Sequence, residues 1–436
     1  PHHRETLINN LPYTLTTGQQ TIINTIATDL NSPHPMQRLL QGEVGSGKTI
    51  IALIAMLQAV ENGKQCALLA PTSVLAHQHG HSLTELLTNA GINLTITTLT
   101  GDMTPTQKNH ALLAIISGDA NIIIGTHALI QDTVEFYDLG LVIIDEQHRF
   151  GVAQRLALKN KGRDVHQLMM SATPIPRTLA MSFFADLDVS VIDELPPGRT
   201  PIKTRLVNNV RRAEVEGFVL NICRKGQQAY WVCPLIEESE TLQLQTATET
   251  LEQLQAALPE LNIGLVHGRM KAAEKAEVMA EFAAGRLNVL VATTVIEVGV
   301  DVPNAALMVI EHAERMGLAQ LHQLRGRVGR GAAESVCVLL FAEPLSELAK
   351  ARLKVIYEHT DGFEIARQDL NIRGPGEFLG ARQSGVPMLR FANLEEDLHL
   401  LEQAREIAPM LIEQNPEIVE AHLARWLASR EGYLGV

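Results

Sequence analysis

Three arginines, Arg325, Arg327 and Arg330, stand among three glycines in the run QLRGRVGRG at 323 to 331. A planar guanidinium donates a fork of N–H bonds that matches the oxygens of a phosphate, so a glycine-opened loop of arginines is built for an anion. That anion is either a nucleic-acid backbone or a nucleotide phosphate. GEVGSGKT at 42 to 49 fits G-x-x-x-x-G-K-[ST] and sits between a strand candidate and the helical run TIIALIAMLQAV. In this pattern Gly42, Glu43, Val44, Gly45, Ser46 and Gly47 let backbone N–H groups curl around phosphates. Lys48 reaches the terminal phosphates, and the Thr49 hydroxyl can ligate magnesium. LVIIDEQH at 141 to 148 ends an apolar strand in two acids. Asp145 is placed to hold the magnesium and Glu146 to orient and deprotonate an attacking water. Alone, the first pattern could be a chance Gly-rich turn and the second a solvated strand end. Together they read as an ATPase or GTPase site.

The remaining sequence must position these groups. Short apolar runs alternate with helix-patterned segments, the signature of parallel sheets with helical crossovers. Strand candidates in the first half are 38 to 42, 66 to 71, 121 to 127, 141 to 145 and 167 to 173; in the second they are 229 to 234, 263 to 268, 288 to 294, 306 to 313 and 335 to 341. ELPPGRTPIK at 194 to 203 reads as a linker, and after residue 345 the pattern turns helical around the irregular NIRGPGEFLGARQSG. The expected organisation is α/β: 1–198 nucleotide-binding, 199–345 arginine-bearing, and 346–436 a mostly helical extension.

With 36 basic against 49 acidic residues the net charge is −13, so contact with nucleic acid is local and not a bulk positive coat. The four cysteines form no C-x-x-C pair, which disfavours zinc and a disulfide framework and fits a reducing cytosol. No apolar run approaches a membrane span. The first residue is Pro1 and not Met, so a fragment or processed chain is expected. His77 and His81 are spaced i, i+4 and could share a metal, but no acid or thiol joins them in sequence; a solvated or DNA-facing helix is favoured.

Asp-Glu-Gln-His, SAT at 171 to 173, TTVIEVGVDVPNA at 293 to 305 and QLRGRVGRG together resemble a superfamily 2 helicase or translocase. The resemblance implies two tandem RecA-like domains with ATP and Mg2+ in the cleft between them. LTTGQ, preceded by Tyr13, is similar to that superfamily's adenine-reading segment, which makes Gln19 the base contact and Tyr13 a stacking ring. Gly299 and Asp301 match nucleotide-binding positions. Gln323, Arg327 and Arg330 match residues that cross to the γ-phosphate, which favours a nucleotide as the anion over a DNA-facing surface; Arg325 has no equally clear role. Pro71, Thr72, Thr126, His127, Arg177, Thr293 and Thr294 match positions that touch the sugar-phosphate backbone, although Ser and Thr at strand ends more often cap helices.

The runs MSATPIPRTLAMSFFADLDVSVIDELPPGRTPIKT and DGFEIARQDLNIRGPGEFLGARQSG closely resemble the RecG family of bacterial fork-remodelling translocases. The second matches its translocation motif, with Arg373, Arg382 and Gln383 as donors for phosphate or for a neighbouring helix. By this resemblance the partner is double-stranded and branched DNA, remodelled at stalled forks and recombination intermediates. The resemblance further implies single-stranded DNA-binding protein as a partner and a cytoplasmic, nucleoid-associated monomer without membrane contact. The family's N-terminal wedge domain does not precede Leu11, so this chain is expected to hydrolyse ATP with reduced junction preference. A transcription-repair coupling translocase of the Mfd type, an ATP-gated DNA clamp and an RNA-remodelling helicase are the alternatives.

Overall fold

The structure is a computed structural model. It describes residues 2–43, 45–145, 152–172, 187–194, 199–234, 240–293, 302–331, 334–373 and 398–427. Val44, Glu146, Arg177, Thr294, Gly299, Asp301, Arg382 and Gln383 lie outside the described residues. The chain forms two compact units, Pro1–Glu194 with Gly374–Val436, and Leu195–Arg373.

In the first unit, helices α1 (His2–Asn9) and α2 (Thr17–Leu30) precede β1 (Gln37–Gly42), α3 (Lys48–Glu61), β2 (Gln65–Leu69) and α4 (Ser73–Asn89). There follow β3 (Ile96–Leu99), α5 (Pro105–Ser117), β4 (Ile122–Gly125), β5 (Leu139–Ile144), α6 (Val152–Lys159), β6 (His166–Ser171) and β7 (Asp188–Ile192). The strands pair in parallel in the order β3-β4-β2-β5-β6-β1-β7. β2, β4 and β5 are buried at every residue, which is why they read as unbroken apolar runs: crossover helices cover both faces. On one face Leu40, Leu68, Ile124, Ile143 and Met170 form a core with Ile22, Ile23 and Ile26 of α2 and with the buried run Ile50–Leu57 of α3.

The second unit holds β8 (Ile202–Asn208), α7 (Arg212–Arg224), β9 (Gln228–Cys233), α8 (Glu240–Ala257), β10 (Ile263–Val266), α9 (Ala272–Ala283), β11 (Val289–Thr293) and β12 (Ala305–Ile310). α10 (Leu318–Arg325), β13 (Ser335–Phe341), α11 (Glu347–Glu358) and α12 (Gly362–Arg373) complete it. Its parallel order is β10-β11-β9-β12-β13-β8. Residues alternate between two cores with the period of two that a pleated strand imposes: Tyr230, Leu290, Met308 and Cys337 face one, and Trp231, Val291, Leu307 and Val336 the other. The first core also contains Leu321 and Leu324 of α10 and Leu353 and Ile356 of α11, so the arginine-bearing helix and the helices after β13 share one packed interior. The Arg212 guanidinium stacks over Trp231 at 5.0 Å and is ion-paired with the buried Glu311. Two further helices, α13 (Leu398–Gln414) and α14 (Pro416–Leu427), lie near the carboxyl end.

All ten strands expected from sequence are present with small shifts at their ends, and three more appear: β3, β7 and β8. Each is a sheet edge. An edge strand is covered less completely, so ITTL, DVSVI and IKTRLVN carry polar residues that break the apolar run. Ile202 and Lys203, at the end of the proline-rich stretch, already belong to β8. Among the described residues no helix is long and apolar enough to cross a membrane.

Cys66, Cys223, Cys233 and Cys337 are all free and buried. Burial pushes the Cys337 thiol up to about 12 and that of Cys223 to about 11, and raises Cys66 and Cys233 as well. The thiolate is the reactive form, so at pH 8 the native chain is expected to react with an aromatic disulfide reagent at close to none of its four thiols, and at all four once unfolded in urea. Rapid labelling of any thiol in the native chain would contradict the packing.

Candidate nucleotide and nucleic-acid site

β1 ends at Gly42 in the interior of a parallel sheet, between β6 and β7, and the chain must turn sharply to start α3 at Lys48. Gly45 and Gly47 take φ of 81° and 98°, in the left-handed region where a side chain is strained. Gly47 is the N-cap of α3 and, having no side chain, caps nothing. The first N–H groups of the helix are therefore left for an anion, with the helix dipole aimed at the same place. A Cβ on Gly42 would collide with the Ser46 hydroxyl, and one on Gly47 with the Gln19 amide nitrogen. Lys48 Nζ folds back to donate to the carbonyl oxygens of Gly42 at 2.5 Å and Glu43 at 3.0 Å. The Ser46 hydroxyl is buried and has no hydrogen-bond partner among the described residues. A buried hydroxyl left so is costly, and the donor set around it (backbone amides, a lysine and a hydroxyl) is what a triphosphate requires. The residues present fit a nucleotide.

Gln19, expected to read a base, is 3% exposed and has both ends of its carboxamide engaged. Its Oε1 accepts from the Thr16 N–H at 3.0 Å in a capping box, and its Nε2 donates to the Ser46 carbonyl at 2.8 Å. Gln19 thus props the phosphate loop. Tyr13 stands 42% exposed, a ring with a face to offer.

Asp145 follows β5, at the same carboxyl edge as the loop after β1 and separated from it by β6. Its N–H donates to the Leu69 carbonyl, which fixes the backbone at the end of β2. Its carboxylate accepts from His79 Nε2 at 2.7 Å, with the two side chains 13% and 14% exposed. Sequence reasoning weighed His77 and His81 and passed over the histidine between them. His77 instead faces Asp102 at 3.7 Å, and His81 is exposed. The available signal was spacing: His79 lies three residues after Ala76 and four before Leu83, both fully buried, and so on the inner face of α4.

Of the residues matched to backbone contacts, Pro71 and Thr72 precede α4, and Thr72 caps it by accepting from the Leu75 N–H at 3.2 Å. Thr126 is buried and accepts from the Ala128 N–H at 3.5 Å, while its neighbour His127 is exposed. Thr293 is buried as the last residue of β11.

In the second unit the arginines separate. Arg325, the last residue of α10, is 2% exposed. Its Nη1 donates to Thr204 Oγ1 at 3.1 Å and to the Ile356 carbonyl at 2.5 Å; its Nη2 donates to the His359 carbonyl at 2.8 Å. Those two carbonyls lie at the carboxyl end of α11, where acceptors have no partner within the helix and a cation is favoured. Arg325 is therefore an anchor between α10 and α11. Beyond it, Gly329 turns with φ of 83°. The loop is tied at both ends, by Arg199 Nη1 to the Gly326 carbonyl and by the Thr200 N–H to the Gly329 carbonyl, each at 3.1 Å. Arg327 and Arg330 are partly buried on this braced turn and Gln323 is exposed. Arg373, at the end of α12, pairs with Asp369 at 3.1 Å.

Family models match along the chain: DEAD/DEAH box helicase over residues 16–182, Helicase conserved C-terminal domain over 215–332, and ATP-dependent DNA helicase RecG, domain 3, C-terminal, over 359–426. The ATP-dependent DNA helicase RecG of Acidithiobacillus ferridurans is 53% identical over 97% of this chain and 62% of its own length. That of Escherichia coli K12 is 53% identical over 98% of this chain and 62% of its own length. The chain thus spans about 62% of the length of these curated relatives. A solved structure of RecG bound to a three-way DNA junction superposes with a TM-score of 0.74 at 47% identity, covering 91% of this chain and 52% of the other.

Replacing Arg325 with Ala strands buried acceptors at the end of α11, at a cost of roughly 3 kcal/mol. Urea unfolding is expected to register that loss, and Arg325→Lys should recover only part of it because an ammonium cannot reproduce the fork. An alanine variant as stable as the parent would show that the anchor is idle.

Proposed function

This chain belongs to the family of the ATP-dependent DNA helicase RecG, and from that premise we propose that it is the ATP-hydrolysing motor of a double-stranded DNA translocase. Its track is branched DNA, remodelled at stalled forks and recombination intermediates by fork regression and branch migration. Within it, 1–198 binds the nucleotide, 199–345 supplies the arginines, and 346–436 carries the helical hairpin and translocation motif. The observation that carries the reading is the uncapped start of α3 behind the left-handed Gly47, with Lys48 and the orphaned Ser46 hydroxyl beside it.

Each residue has a task. The backbone of 42–47 and Lys48 bind the phosphates, Gln19 props the loop that holds them, and Tyr13 stacks on the base. Thr49 and Asp145 hold magnesium, which when bound neutralises charge developing on the phosphates. Glu146 orients the attacking water and takes its proton. Gln323, Arg327 and Arg330 stabilise the γ-phosphate, assisted by Gly299 and Asp301 of the same unit. Pro71, Thr72, Thr126, His127, Arg177, Thr293 and Thr294 grip the sugar-phosphate backbone without reading sequence. Arg373, Arg382 and Gln383 relay the stroke to the duplex. The protein works as a monomer in the bacterial cytoplasm at the nucleoid, with single-stranded DNA-binding protein as a partner.

The test is ATP hydrolysis with and without forked DNA. The parent chain is expected to hydrolyse ATP and to be stimulated by the fork. Arg330→Ala should lower the stimulated rate by about 10³-fold while leaving nucleotide binding intact. Unstimulated hydrolysis, or an Arg330→Ala variant with the parent's rate, would overturn the reading. In a second assay, Arg382→Ala and Gln383→Ala are expected to retain DNA-stimulated hydrolysis and lose strand separation; equal loss of both would refute the relay.

A further inference from the structure

Asp145 has an acceptor-only carboxylate when ionised, so in its 2.7 Å bond with His79 the proton lies on Nε2 of the histidine. Among the described residues this is the side chain that holds it. The pair is shielded, each member less than a sixth exposed, and His79 cannot drift because its helix is pinned. Ala76, Leu83 and Leu87 bury the inner face of α4, and at Gly80 a Cβ would stand in ordinary contact with Thr98 at 3.4 Å and Ile124 at 3.9 Å. The same helix is capped at its start by Thr72, roughly two turns before His79.

We propose that His79 is the positioning residue of the magnesium site. It holds one oxygen of Asp145, leaves the other to the metal, and ties that carboxylate to α4, which Pro71 and Thr72, the proposed contacts to the DNA backbone, immediately precede. Groups that hydrogen-bond a metal-ligating carboxylate set its orientation, and removing them commonly weakens metal binding about 10- to 100-fold. A rigid helix with the duplex at its start and the carboxylate partner on its second turn gives both ligands one shared element. Whatever DNA does to the seating of α4 therefore reaches Asp145, and by linkage the metal acts back on DNA binding. The inference rests on the nucleotide and DNA reading above and adds a residue to it.

The experiment follows binding of a fluorescent ADP to this chain, titrated with Mg2+, with and without linear duplex DNA and in EDTA, for the parent, His79→Ala and His79→Gln. Glutamine places an N–H where the Nε2–H stands and serves as the conservative variant. His79→Ala is expected to need about 10-fold more Mg2+ for half-maximal binding, to show no shift of that midpoint on adding duplex, and to match the parent in EDTA. His79→Gln should restore the parental midpoint. An alanine variant with the parent's midpoint overturns the inference, as does one whose binding falls as much in EDTA as in Mg2+, since that is a general loss of structure. A parent chain that binds no nucleotide under any condition would instead overturn the proposed function.

Discussion

Orphan amides at the start of a buried helix set the terms for the first unit. α3 begins at a glycine in a left-handed conformation, and a helix with glycine in place of a side-chain cap gives up about a few tenths of a kcal/mol. The deficit persists because the surroundings leave no alternative. β1 is locked between two parallel neighbours, and the stretch Ile50–Leu57 is buried throughout, so the helix can neither fray nor slide to find a cap. Burial of apolar surface thus holds the Ser46 hydroxyl where, among the described residues, it has no hydrogen-bond partner. Lys48, Ser46 and Gln19 are arranged about that shortage, each tied to the loop's own backbone or kept next to it.

Identical chemistry is put to different uses in the second unit, and position along a helix decides which. Arg325 is still inside α10 and points with Leu321 and Leu324 into the interior, where its fork meets the carbonyl end of α11. Gly326 ends the helix, so Arg327 and Arg330 leave its face and ride on a turn that Arg199 and Thr200 brace. A sequence motif shows three equivalent arginines, and the fold makes one of them a fastener.

The central strands were legible because burial on both faces leaves a continuous apolar run, and the phosphate loop was legible because its glycines are dictated by backbone geometry. β3, β7 and β8 were not, since a strand at a sheet edge satisfies one side with solvent and its sequence need not be apolar. His79 and Arg325 were missed for another reason. Helical spacing puts His79 on the inner face of α4, but their partners, Asp145 and the end of α11, are distant in sequence, and nothing local names a contact made by tertiary packing. Gln19 was recognised as a site residue, but its bond to the Ser46 carbonyl across the unit could not be inferred from LTTGQ.

Those outermost strands also bear on how copies of the chain coexist in a crowded solution. An open strand offers a ladder of unpaired amides and carbonyls on which another molecule can polymerise, and proteins escape this by keeping such margins short or charged. β3 and β10 have only four residues each, β7 begins with Asp188, and β8 carries Lys203 and Arg205. The polar interruptions that hid three of these margins from pattern reading are the groups that discourage intermolecular β-pairing, so resistance to fibrous association is written into the least regular part of each sheet.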